Sequence, residues 1–74
     1  MFAISLRFAN RTRTYSIRSL SFGWEVRFEE DRTVRRLDHY EDWHRVERAR
    51  ALFEREAFEL TSQGWQVASP AVSQ

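Results

Sequence analysis

Apolar and polar residues alternate at the start of the chain: Phe2, Ile4, Leu6 and Phe8 are separated by Ala3, Ser5 and Arg7. Successive side chains on a strand point to opposite faces, so this pattern predicts a β-strand with one apolar face. Ala9 to Arg13 is polar and contains a turn residue, Asn10. Thr14 to Leu20, β-branched or aromatic at Thr14, Tyr15 and Ile17, predicts a second strand. Ser21-Phe22-Gly23 breaks it, and Gly23 marks a turn or bulge needing a permissive backbone. Alternation resumes from Trp24 to Glu29, a third strand with Trp24, Val26 and Phe28 inward. Glu30-Asp31-Arg32 forms the next hairpin loop, and Thr33 to about Leu37 returns as a fourth strand. Val34 and Leu37 cannot share a face of a regular strand, so a bulge near Arg35-Arg36 or an early strand end is expected.

From about Asp42 to Gln63 the apolar residues recur every three or four positions, the period of a helix with one apolar stripe. Trp43, Val46, Ala49, Phe53, Ala57 and Leu60 fall on one side with Leu52 on the flank, and this side faces the sheet. Arg45, Arg48, Arg55 and Glu59 lie opposite, with Arg50–Glu54 and Arg55–Glu59 spaced as surface pairs. Arg50 projects near the stripe, where its stem can snorkel past the sheet edge. Ala51 and Phe58 sit together off the stripe, a candidate contact for a second subunit or another partner. Glu41 and Asp42 are expected in the first turn, with Asp38 and Glu41 spaced as a capping box. At the far end Gly64 suits the left-handed C′ position, with Leu60 and Trp65 as the hydrophobic pair of a Schellman motif.

The chain therefore reads as an α+β domain: a three- or four-stranded antiparallel sheet followed by one long helix packed on one face. Residues 1–65 form the single domain and residues 66–74 a flexible C-terminal tail, in which Val67 and Ala68 can add a short edge strand. At 74 residues a domain buries only about 60% of the surface its unfolded chain exposes, so the core is thin. There is no Cys, so disulfides and thiolate metal sites are excluded and self-association is the remaining route to added stability. The 15% aromatic content suits a small core built from a few large side chains. No apolar run approaches the roughly 20 residues of a membrane helix, and Met1 to Arg7 lacks the regions of a secretory signal. A cytoplasmic protein with no membrane partner is expected.

Charge changes sign along the chain. Residues 1–40 carry eight Arg against five acidic residues, and residues 41–74 carry four against six. Every basic residue is Arg, the better fork for phosphate or carboxylate, and also the residue that a GC-rich coding sequence favours over Lys. The outer sheet face is expected to carry Ser5, Arg7, Arg18, Glu25, Arg27 and Arg35, extended at the loop by Arg11 and Arg13. With Tyr15 or Phe22 at its rim such a face can hold phosphates and stack bases. Glu25 and Glu29 on the same face point instead to cross-strand pairs and a solvated, salt-bridged surface.

Catalytic and metal chemistry find little in the chain. His39 and His44 are five apart, about 140° around a helix, whereas a helical metal pair needs three or four. Acid–base cleavage of RNA by a His with Arg35 or Arg36 lacks a distinct acid and base. With two glycines there is no phosphate-binding glycine loop, and no nucleophile motif surrounds any Ser. No cofactor and no enzymatic activity are expected.

Three resemblances accompany this reading. Gly23-Trp24-Glu25-Val26-Arg27 and Gln63-Gly64-Trp65 stand where the WGR domain of DNA-repair polymerases and some bacterial regulators has its hairpin and its helix-ending Gly-aromatic pair. The layout from Tyr15 to Trp65 is similar to that domain, although this hairpin reads Arg27-Phe28-Glu29-Glu30-Asp31-Arg32 and lacks the Trp-Gly-Arg signature. Four strands followed by a helix also resemble the single-strand-binding coactivator and Whirly folds, which bind nucleic acid as oligomers. The run Asp42-Trp43-His44-Arg45-Val46-Glu47-Arg48-Ala49-Arg50 is similar to short uncharacterised proteins of alphaproteobacteria, and this likeness implies no activity. The expected function is a non-catalytic binding or interaction module, homo-oligomeric or with a protein partner. Its alternative is a nucleic-acid-binding module using the Arg-bearing sheet face.

Overall fold

The structure, a computed structural model, describes residues 2–69. In chain order its elements are β1 (Phe2–Phe8), β2 (Arg11–Ser19), β3 (Trp24–Glu30), β4 (Thr33–Tyr40), α1 (Trp43–Ser62) and β5 (Gln66–Ser69). The strands form one antiparallel sheet in the order β4-β3-β2-β1-β5, with α1 packed on one face. The α+β architecture is as expected, with four strands before the helix. The fifth strand is the short edge strand that Val67 and Ala68 could add: Gln66–Ser69 pairs along β1, and positions 70–74 of the expected tail lie outside the described residues. Among the described residues no helix is long and apolar enough to cross a membrane.

Loop chemistry sets the register. Asp31 and Arg32, at φ 50° and 69°, form a two-residue connection between β3 and β4. Two consecutive positive φ values match the right-handed twist of the flanking strands. The Thr12 N–H donates to Asp31 Oδ1 at 2.9 Å and the Asp31 N–H donates to the Thr12 carbonyl at 2.9 Å, tying this turn to β2. In β4 the expected bulge is present: Phe28 pairs with Arg36 and Glu29 with Val34, leaving Arg35 as the extra residue.

The core lies between the helix and the inward positions of the three central strands. Leu6, Tyr15, Ile17 and Val26 from the sheet meet Val46, Ala49, Phe53, Ala57 and Leu60 from α1. Phe53 and Tyr15 are the two largest side chains buried completely, with ring centroids 4.8 Å apart. Tyr15 keeps its hydroxyl satisfied by donating to Glu56 Oε1 at 3.1 Å, and burial raises its pKa above 10.0. Trp43 is 45% exposed but packs against Trp24, with centroids 5.1 Å apart and the rings tilted by 54°. Arg50 snorkels as expected, its guanidinium 5.4 Å from the Phe2 ring and 3.2 Å from Glu54. The expected Arg55–Glu59 pair is not within 4.0 Å.

The helix begins later than the capping-box reading implies. Asp42 is the N-cap, accepting from the His44 N–H at 2.9 Å, while Asp38 belongs to β4 and holds Arg36 at 2.6 Å. Consequently no acidic residue occupies the first turn. The helix ends as the sequence indicates. The Trp65 N–H donates to the Leu60 carbonyl at 3.0 Å and the Gly64 N–H to the Thr61 carbonyl at 3.2 Å, the two bonds of a Schellman motif. Gly64 sits at φ 109°, and a Cβ there would meet the Phe8 ring at 3.3 Å. Gly64→Ala should cost about 1–2 kcal/mol, read as a lower urea midpoint with unchanged slope. The Phe8 ring can swing aside, which keeps the loss in that range.

Candidate functional site

Among the described residues no element packs over one face of the sheet. The pairing register assigns to it Ala3, Ser5 and Arg7 from β1, then Thr12, Thr14, Ser16 and Arg18 from β2. β3 contributes Glu25, Arg27 and Glu29, and β4 contributes Val34, Leu37 and His39. A charged column on β3 therefore runs between a hydroxyl column on β2 and an apolar margin on β4. The bulge at Arg35 produces that margin: it turns Val34 onto the same face as Leu37, and the two are 41% and 60% exposed. Both residues face away from the helix. The inward positions of β4 are Arg36, Asp38 and Tyr40.

The charges on this face are largely paired. Arg18 donates to Glu25 at 2.9–3.0 Å, and Arg27 lies 2.9 Å from Glu29 and 4.0 Å from Glu25. Arg35, which the sequence also assigns to this face, is the bulge residue of β4 and instead reaches Glu30, a helix-side residue, at 3.6 Å. Ser5 and Thr14 share a hydrogen bond of 2.9 Å across the β1–β2 ladder. Arg7 has no carboxylate within 4.0 Å among the described residues and stands beside Gln66. The His39 imidazole Nε2 donates to the Phe22 carbonyl at 2.6 Å, holding the β2–β3 loop at the end of the β4 margin. Phe22 itself is 81% exposed.

Of the arginines the sequence assigns to this face, Arg7, Arg18 and Arg27 are on it. Arg11 and Arg13 are not. Their register partners, Phe8 and Leu6, place them on the helix side. Arg13 packs between aromatic rings, 5.3 Å from the Trp65 centroid and 6.0 Å from that of Phe28, with Glu30 at 3.5 Å. Arg11 pairs with Glu30 at 2.8 Å. Tyr15 is fully buried, so it offers no stacking surface at the rim. Ala51 and Phe58 are exposed on the outer side of α1, Phe58 by 73%. His39 and His44 lie on different elements, and the described residues contain no group of three or more side chains arranged to hold a metal ion.

The pattern reading missed a second surface. A groove between β4 and the N-terminal half of α1 is lined by Arg36, Tyr40, Arg45, Arg48, Ala49 and Leu52. No family model, no curated protein and no solved structure matches the chain.

Proposed function

We propose that the protein is a non-catalytic interaction module that pairs with a second copy of itself through the open face of its sheet. The observation that carries this reading is the self-complementarity of that face. Consider a two-fold axis between two facing sheets, parallel to the strands and midway between β2 and β3. It sets β3 over β2 of the second copy and β4 over its β1. The register then puts Glu25 over Arg18, Arg27 over Ser16 and Glu29 over Thr14. In the same arrangement Leu37 lies over Ala3 and Val34 over Ser5, large side chains over small ones. No like charges are opposed among these positions, as an isologous interface requires.

Area sets how tight the pairing is. In this arrangement β5 lies beyond β4 of the second copy, so four strands spaced about 4.8 Å, each about seven residues of roughly 3.3 Å, overlap over roughly 19 by 23 Å. Two such faces remove on the order of 900 Å² from solvent, the size of a weak interface that dissociates on dilution. The thin core of so small a domain gains from the added burial. Nucleic-acid binding on this face has less support, because Arg18 and Arg27 already hold carboxylates and Arg11 and Arg13 face the other way.

Sedimentation or light-scattering mass over a dilution series tests the proposal. The wild-type protein should pass from dimer to monomer with dilution. Leu37→Glu should weaken association roughly a hundredfold, by burying an unpaired carboxylate at the interface. Phe58→Ser should leave the mass unchanged. A monomer at high micromolar concentration would refute self-association, and a mass sensitive to Phe58→Ser but not to Leu37→Glu would move the interface to the helix.

A further inference from the structure

The groove between β4 and α1 presents an excess of positive charge for which the fold itself gives no reason. Its volume is about 280 Å³. Three guanidinium groups line it, and only one is committed. Arg36 is held by Asp38 at 2.6 Å, donates to the Tyr40 hydroxyl at 3.2 Å and lies 5.7 Å from the Phe53 ring centroid. Asp38 keeps the Arg36 pKa raised, so that group is a permanent cation. Arg45 and Arg48 have no carboxylate within 4.0 Å among the described residues. Glu41 and Asp42 line an adjoining recess with His39, Tyr40 and Arg45, and Asp42 is occupied in capping the helix.

Both free arginines belong to the first two turns of α1. Arg45, in the first turn, opposes the helix dipole, and Arg48 one turn on adds like charge beside it. An arrangement that works against the free protein is explained when a ligand supplies the missing negative charge.

We propose that this groove binds a phosphate monoester of a small organic molecule. Arg45 and Arg48 would fork the phosphate oxygens, with Arg36 completing the positive wall. Phosphate fits better than carboxylate because a dianion with three free oxygens can engage more than one guanidinium. Ala49, Leu52 and the Tyr40 ring supply an apolar floor for the organic part. The volume is close to the lower end for small-molecule sites, so the ligand is small. This site is on the helix side of the sheet and does not depend on dimer formation.

Thermal unfolding at fixed ionic strength tests it, with phenyl phosphate, inorganic phosphate, sodium chloride and a single-stranded oligonucleotide lacking terminal phosphate as probes. Phenyl phosphate should raise Tm by about 8 °C at ten times its dissociation constant, and beyond that with the logarithm of its concentration. Inorganic phosphate should act more weakly, and chloride not at all. In Arg45→Gln/Arg48→Gln the rise should vanish while the unliganded Tm stays equal or increases slightly. Arg48→Lys keeps the charge but not the fork, and should weaken binding about tenfold. No rise in the wild type, or an equal rise in the double variant, overturns the proposal. A stronger response to the oligonucleotide than to phenyl phosphate also overturns it, in favour of a nucleic-acid backbone.

Discussion

Phe53→Ala is expected to leave little of the folded population intact. Phe53 is 2% exposed and is the one helix side chain whose ring packs against those of both Tyr15, at 4.8 Å, and Phe2, at 6.5 Å. Truncating a buried Phe to Ala costs about 3–5 kcal/mol, part of it lost transfer energy and part the void left behind. A 74-residue domain has roughly 4–11 kcal/mol to lose. Arg36 would also lose the ring beneath its guanidinium, 5.7 Å from the centroid. Urea titration followed by far-ultraviolet circular dichroism should show the midpoint collapsing toward zero denaturant. A loss below about 1 kcal/mol would mean that α1 does not sit on Tyr15 as described.

Gly23→Ala is expected to be the most damaging change of a single methyl group. Gly23 adopts φ 93°, in the region that L side chains enter only at a cost of about 1–2 kcal/mol. A Cβ there would also fall inside the van der Waals envelope of the Tyr40 carbonyl oxygen and 3.2 Å from His39 Nε2. Backbone cannot swing aside as the Phe8 ring can at Gly64, so the β2–β3 loop or the end of β4 must move. Displacing well-packed structure adds about 1–3 kcal/mol, for a total of about 3 kcal/mol. The measured loss for Gly23→Ala should clearly exceed that for Gly64→Ala, and an equal loss would remove the Tyr40 contact from the explanation.

These two sites differ in how far the sequence exposes them. The alternation in β1 and β3, the helical stripe and the Leu60–Gly64–Trp65 ending are local patterns, and each predicts its own structure. The conflict between Val34 and Leu37 was legible too, since a period-two violation demands an extra residue. Its direction was not. β4 is an edge strand, and long polar side chains such as Arg36 can occupy its inward positions while reaching solvent past the rim. Arg13 escapes the pattern for a related reason, its guanidinium lying against Trp65 and Phe28 and reaching Glu30. The basic groove was hidden because Glu41 and Asp42 read as first-turn acids, which would have neutralised Arg45. With the helix starting one residue past Asp42, the first turn holds no carboxylate. β5 carries almost no side-chain signal and is defined by pairing with the β1 edge.

That last pairing gives the domain an order of assembly. β1 through β4 are joined by short loops, so their ladders close over small separations and can zip early. Leu6 and Val67, in contrast, meet across some sixty positions, after the helix has crossed the sheet. On a ribosome the first strand would emerge long before its outer neighbour exists. Its outer backbone groups stay exposed until synthesis of the domain is nearly finished, which makes β1 a second edge, beside β4, open to pairing with another chain during that interval.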